Sequence, residues 1–125
     1  MKYYVFLCLA LLICSCSSNN DMGLQRLGTA EFSQENWGMA SQEARGEMLY
    51  SLSKNYKFNE MNKDQVLALL GESTAYYEYD EFPAYFVGPK SIASDYGNGY
   101  LLAFPLDRET GLIREVVIIP SPNGK

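Results

Sequence analysis

Asn62-Lys63-Asp64-Gln65-Val66-Leu67-Ala68-Leu69-Leu70-Gly71 is the stretch that decides how the rest of the chain is read. Asn62 can accept a hydrogen bond from the backbone three residues on, while Gln65 can reach back to it, the reciprocal pattern of a capping box. Met61 before the cap and Val66 at the fourth helical position suit a hydrophobic staple. Val66, Leu67, Leu69 and Leu70 supply an inner face, and Gly71 can adopt the left-handed conformation that ends helices. A short helix packed by its leucines follows.

Upstream, Ser41 is a natural N-cap, and Ala44, Met48, Leu52 and Tyr56 recur every four residues with Leu49 beside them. This predicts a first helix, with Trp37 and Met39 packed over its start and Arg45 solvated or locally paired. Downstream the pattern turns to strands. Tyr76 to Tyr79 is partly alternating, Glu81-Phe82-Pro83 reads as a break, and Ala84-Tyr85-Phe86-Val87 as a second strand closed by Gly88-Pro89. Lys90 to Gly99 reads as a loop. Tyr100 to Leu106 and Leu112 to Ile119 then form a hairpin across the turn Asp107 to Gly111. The expected fold is α+β: two N-terminal helices packed on a three- to four-stranded antiparallel sheet, a sandwich of two layers.

The chain begins Met1-Lys2 and runs through an apolar stretch from Tyr3 to Ile13, about half of the roughly 20 residues a spanning helix needs. That reads as a signal peptide. Ile13-Cys14-Ser15 before Cys16 resembles the lipobox of bacterial lipoproteins, with an aliphatic residue at −3 and a small one at −1. Cys14 fits less well, because Ile13 would occupy its −1 position; the alternative is an ordinary secretory signal cut near Ser17 or Ser18. The expected organisation is a signal peptide over 1–15, lipidated Cys16 and a flexible tether over 16–35, a domain over 36–120 and a tail over 121–125. No cysteine follows Cys16, so the mature domain would be held by its core and not by a disulfide. Ser17 after the cysteine lacks the aspartate that retains many inner-membrane lipoproteins, which points to the outer membrane.

Without Lys2 the balance is nine basic to fifteen acidic side chains. Phosphate backbones reward clustered Lys and Arg, so nucleic acid is not the expected partner. The sequence has no histidine, removing the commonest general base and metal ligand together. No Gly-x-Ser-x-Gly elbow, phosphate loop or dinucleotide fingerprint occurs. Glu78, Asp80 and Glu81 could hold calcium or do acid–base work if Glu78 and Asp80 shared a strand face. Their ordinary role is a solvated edge that discourages strand pairing. The expectation is a protein without catalytic residues, metal or cofactor.

Tyr76, Tyr77, Tyr79, Phe82, Tyr85, Phe86, Tyr96 and Tyr100 crowd into 25 residues. A sheet buries one face on its helices, so part of this set must point outward. Tyrosine suits protein interfaces because a large apolar ring carries a polar tip. Tyr76, Tyr79 and Tyr96 are the expected binding patch, with the others in the core or in cross-strand pairs.

From Trp37 to Ile119 the chain resembles the SmpA/OmlA family, the BamE-like lipoproteins of outer-membrane assembly. The resemblance is carried by Asp64-Gln65-Val66-Leu67-Ala68-Leu69-Leu70-Gly71-Glu72, by Tyr85-Phe86-Val87-Gly88, and by Tyr100-Leu101-Leu102-Ala103-Phe104 with Val116-Val117-Ile118. Two departures stand out: Ser73 where a proline commonly follows Leu-Gly-Glu, and Glu60-Met61 where a glycine often precedes the helix. The resemblance implies a BamE-like fold and a protein partner, such as an outer-membrane assembly complex. A fold hosts many functions, and an inhibitor or immunity-type lipoprotein that binds an enzyme or toxin is the rival expectation.

Overall fold

The computed structural model describes residues 19–122. The expected signal segment, Cys16 and the end of the tail therefore lie outside the described residues. The described residues are α+β: five α-helices and a short 3-10 turn (Phe58–Glu60) precede a three-stranded antiparallel sheet and a two-residue-per-strand hairpin.

The helix of residues 63–70 forms as its sequence dictates. Asn62 Oδ1 accepts the Gln65 N–H at 2.9 Å, and Gln65 Oε1 accepts the Asn62 N–H at 2.8 Å. Val66 and Leu70 are buried, Leu67 and Leu69 half-buried. Gly71 ends the helix at φ +86, ψ −172, so its φ is positive but it lies outside the left-handed helical well.

Upstream, the single first helix expected from Ser41 to Tyr56 is two, and two further helices precede it. We number α1 as Asn19–Leu27, α2 as Gln34–Met39, α3 as Gln42–Glu47, α4 as Leu49–Asn55 and α5 as Lys63–Leu70. Ser41 caps α3 as expected, accepting the Ala44 N–H at 3.1 Å. The helix then breaks at Met48, whose N–H bonds back three residues to Arg45 at 3.1 Å, a tightened final turn. The Glu47 carbonyl left free at the break accepts the Ala30 N–H at 3.0 Å, and Ser51 Oγ accepts the Phe32 N–H at 2.9 Å.

Those two bonds correct the expected tether. Residues 19–27 are helical, α1 packs on α4, and Leu24 and Phe32 are buried in the main core. The signal was faint because only Leu24, Leu27 and Phe32 carry it, without a full helical stripe. Trp37 is buried as expected, on its own helix α2, and its indole N–H donates to the Leu70 carbonyl at 2.9 Å. That bond satisfies an end carbonyl of α5 and ties α2 to it. Met39 is a correction: it is exposed, being the last residue of α2 and turned away from α3. Arg45 is locally paired, stacked 4.7 Å over the Trp37 ring with its Nε donating to the Trp37 carbonyl at 3.0 Å.

The strands are β1 (Ala84–Val87), β2 (Ala93–Ser94), β3 (Gly97–Asn98), β4 (Tyr100–Ala103) and β5 (Val117–Ile119). The main sheet has the order β1-β4-β5, with Tyr85 opposite Leu102 and Leu102 opposite Ile118. The expected hairpin between the last two strands is present, but its ladder is shorter than expected and Leu106 meets Ile113 only as an isolated bridge. Asp107 shapes the turn, its Oδ1 accepting the Glu109 N–H at 2.8 Å.

Alternation along the strands sends Tyr85, Val87, Tyr100, Leu102 and Ile118 to the helices. Ala84, Phe86, Leu101, Ala103, Val117 and Ile119 form a second apolar face, packed with Ala75 and Tyr77. The sheet is therefore apolar on both sides, and the segment after α5 folds over the outer one.

The strand expected over Tyr76 to Tyr79 is absent. Tyr79 N–H bonds the Tyr77 carbonyl at 2.5 Å, and Glu78 between them has φ +56, so the chain reverses where a pleat was expected. The outer edge of β1 is closed instead by residues 73–75, whose backbone takes part, Thr74 and Ala75 N–H donating to the Ala84 carbonyl at 2.9 and 3.1 Å, and whose hydroxyls complete it. Ser73 Oγ accepts the Ala84 N–H and Thr74 Oγ1 the Phe86 N–H, both at 3.0 Å. Hydroxyls that offer the backbone a local partner displace a further strand.

Candidate protein-binding surface

The segment from Gly71 to Phe82 is pinned at both ends and reverses direction between them. Tyr85 extends its hydroxyl through the core to donate to the Gly71 carbonyl at 2.7 Å. Burial pushes this phenol up to about 12, against a smaller lowering by Ser73 and Arg45. At the other end Phe82 and Pro83 are buried and lead into β1. Between these anchors the chain turns at Glu78 and carries its tyrosines outward.

Tyr76 is 54% exposed, Tyr79 51% and Tyr96 40%. All three expected patch residues thus lie at the surface, while Tyr85, Tyr100 and Phe82 are buried. Tyr76 donates its hydroxyl to the Glu78 carbonyl, which folds its ring back along the turn. Among the described residues no ring pair joins Tyr76, Tyr79 and Tyr96 directly. Tyr77, half-buried on the outer sheet face, lies against one of them, its ring centroid 5.8 Å from that of Tyr96. Tyr77 is raised above the ordinary phenol range by burial first, then by the Glu78 carboxylate, which its hydroxyl contacts, and by Tyr96 and Glu115.

Tyr96 sits in the turn between β2 and β3, and the next residue shows why that hairpin stays in place. A β-carbon on Gly97 would lie 2.6 Å from the Phe86 ring, so the hairpin backbone rests directly on the outer sheet face. Gln42 fastens its far side, Nε2 donating to the Asn98 carbonyl at 3.0 Å and to the Gly88 carbonyl at 3.2 Å.

A third partner comes from a remote turn. The Arg108 guanidinium lies 4.8 Å from the Tyr79 ring centroid and 5.9 Å from that of Phe82. It also pairs with Glu81 at 2.9 Å. Tyr79 and Phe82 meet edge to face with centroids 5.3 Å apart. Sequence reasoning missed Arg108 and Tyr77 as members of this surface. Arg108 lies nearly thirty residues from Tyr79 in a turn without pattern, and Tyr77 was indistinguishable from its neighbours.

Glu78 and Asp80 do not share a strand face, since no strand forms there, and Glu81 is engaged by Arg108. Among the described residues no cluster of three or more Cys, Asp or Glu side chains could hold a metal ion. A separate cleft of about 360 Å³ opens between α4, the 3-10 turn and β5, lined by Leu49, Leu52, Tyr56, Phe58, Phe104 and Ile118, with Lys57 and Glu115 at the rim. Its lining is mostly the core's own side chains. No described helix is long and apolar enough to cross a membrane. In comparisons with known proteins, no family model, no curated protein and no solved structure matches this chain.

Proposed function

We propose that this chain is a lipid-anchored lipoprotein, processed before Cys16, whose domain binds a protein partner and catalyses no reaction. The observation that carries the binding reading is the exposure of Tyr76 and Tyr79 on a segment anchored at both ends, and of Tyr96 on a hairpin that rests on the sheet. Large rings held out by a fixed backbone lose little side-chain freedom on docking. Lipid at Cys16 would confine the domain to a membrane surface and raise its effective concentration for a partner there. The resemblance to the SmpA/OmlA family extends this to a BamE-like fold, the outer membrane, and envelope assembly or maintenance. Nucleic acid has no place in this reading.

The second reading, an inhibitor or immunity-type lipoprotein, is favoured by one observation. Residues 72–120 hold eight carboxylates against three cations, so the tyrosine-bearing half is the acidic half. A basic enzyme or toxin would suit it. Metabolic lipid labelling of the wild type and of Cys16→Ala tests the anchor: label and membrane association should both vanish in the variant. A variant that stayed labelled and membrane-bound would remove the anchor assignment. Crosslinking in cells then separates the two partners, an envelope assembly complex from one soluble enzyme or toxin.

A further inference from the structure

The domain already binds one guanidinium, and the way it does so shows what else its surface can take. Arg108 is stacked on Tyr79 and Phe82 and closed by the Glu81 carboxylate. Aromatic faces and a carboxylate are the two elements that hold an arginine: the rings attract the delocalised cation and the carboxylate accepts from its N–H groups. Beside this box stands a second set of the same parts. Tyr77 and Tyr96 are 5.8 Å apart, with the carboxylates of Glu78 and Glu115 close enough to act on Tyr77. Among the described residues no cation lies over either ring. Glu115 meets Arg114 only at 3.6 Å, with both side chains half exposed.

The charge around it is predominantly negative. From Glu72 to Glu115 the sequence carries eight carboxylates and three cations, of which Arg108 pairs with Glu81 and Arg114 with Glu115. Residues 19–71, which build the helical layer, hold seven carboxylates and five cations, so the larger acidic excess belongs to the tyrosine surface. Such a field repels an anionic membrane surface and draws in a basic chain.

We propose that the surface formed by Tyr77, Tyr96 and Glu78 docks an arginine-bearing basic segment of the partner protein, repeating with a foreign guanidinium what Tyr79, Phe82 and Glu81 do with Arg108. The inference rests on the protein-binding reading and names the chemistry of the partner. Both the assembly and the inhibitor forms of that reading are compatible with it.

The full-length lipidated protein in detergent micelles, titrated calorimetrically with a nona-arginine peptide at low salt, tests it. Wild type should bind, and Tyr96→Ala and Glu78→Gln should each weaken binding about fivefold, the scale of one cation–π or charge-assisted contact. Met39→Ala, on the exposed end of α2, should leave it unchanged, and a nona-glutamate peptide should not bind. Absent binding, or equal binding by wild type and both variants, would overturn the proposal, the latter showing unspecific charge attraction. The partner segment crosslinked in cells through a photoreactive residue at position 96 distinguishes the two levels. A segment without Arg or Lys would sink the basic-partner inference while leaving the docking surface in place; capture of no protein would sink both.

Discussion

Gly46 and Gly88 meet face to face: a β-carbon on Gly46 would lie 2.5 Å from the Gly88 Cα and 2.8 Å from its backbone nitrogen. This is where α3 presses on the end of β1, and the Gly88 N–H donates to the Gln42 carbonyl at 2.8 Å in the same contact. Backbone atoms on the strand cannot swing aside as a flexible side chain would. Gly46→Ala should therefore destabilise the domain by about 2 kcal/mol, overpacking outweighing the gain in helix propensity. Gly38 is the control. It is also helical, with nothing within 4 Å of an added β-carbon, so Gly38→Ala should stabilise by about 0.5–1 kcal/mol. Urea denaturation of the two variants should move the midpoint in opposite directions.

Phe32 separates a folded N-terminal segment from a tether. Its ring packs 5.8 Å from Trp37 and edge-on to Tyr56 at 5.6 Å. Phe32→Ala should cost about 3 kcal/mol, as for other buried phenylalanines. A tether residue would cost nothing measurable, so thermal or urea unfolding decides.

The capping box makes a smaller prediction. Asn62→Ala should cost about 1 kcal/mol by removing the acceptor for the Gln65 N–H. Asn62→Ser, which keeps a side-chain oxygen, should recover most of it.

Tyr85 gives the fold an alkaline limit. Its folded value is pushed up to about 12, above the ordinary phenol value of 10.0. Between those values the unfolded chain loses this proton and the folded one keeps it, so stability falls as pH rises through the window. Below it the contribution is fully present. Tyr85→Phe should flatten the decline between pH 10 and 12, while lowering stability at neutral pH because the Gly71 carbonyl loses its donor. Urea unfolding at several alkaline pH values reads both effects.

The fold was legible wherever local chemistry and periodicity agreed. Asn62, Gln65, Val66, Leu70 and Gly71 specify α5 within ten residues, and Ala84 to Val87 reads as a strand because Phe82-Pro83 and Gly88-Pro89 bracket it. The rest depended on contacts between distant segments. Nothing near Met48 announces a break, because the group that takes up the Glu47 carbonyl belongs to Ala30. The aromatic run at Tyr76 to Tyr79 has strand composition, yet Ser73 and Thr74 had already closed the edge it would have joined. The tyrosine surface was visible in outline, since a sheet cannot bury every ring. Its membership was not, because Arg108 reaches Tyr79 only through the fold.

The central claim is that the domain works by docking a protein through its exposed tyrosines, and it is tested most directly by crosslinking in cells with Tyr76, Tyr79 and Tyr96 all changed to alanine. These side chains are half exposed but each makes a ring contact or hydrogen bond, so the variant should lose about 2–3 kcal/mol, and its folding and membrane association are checked alongside. The account predicts that one protein recovered with the wild type is lost from the folded, membrane-bound variant. Recovery of the same protein in undiminished amount from that variant would contradict it.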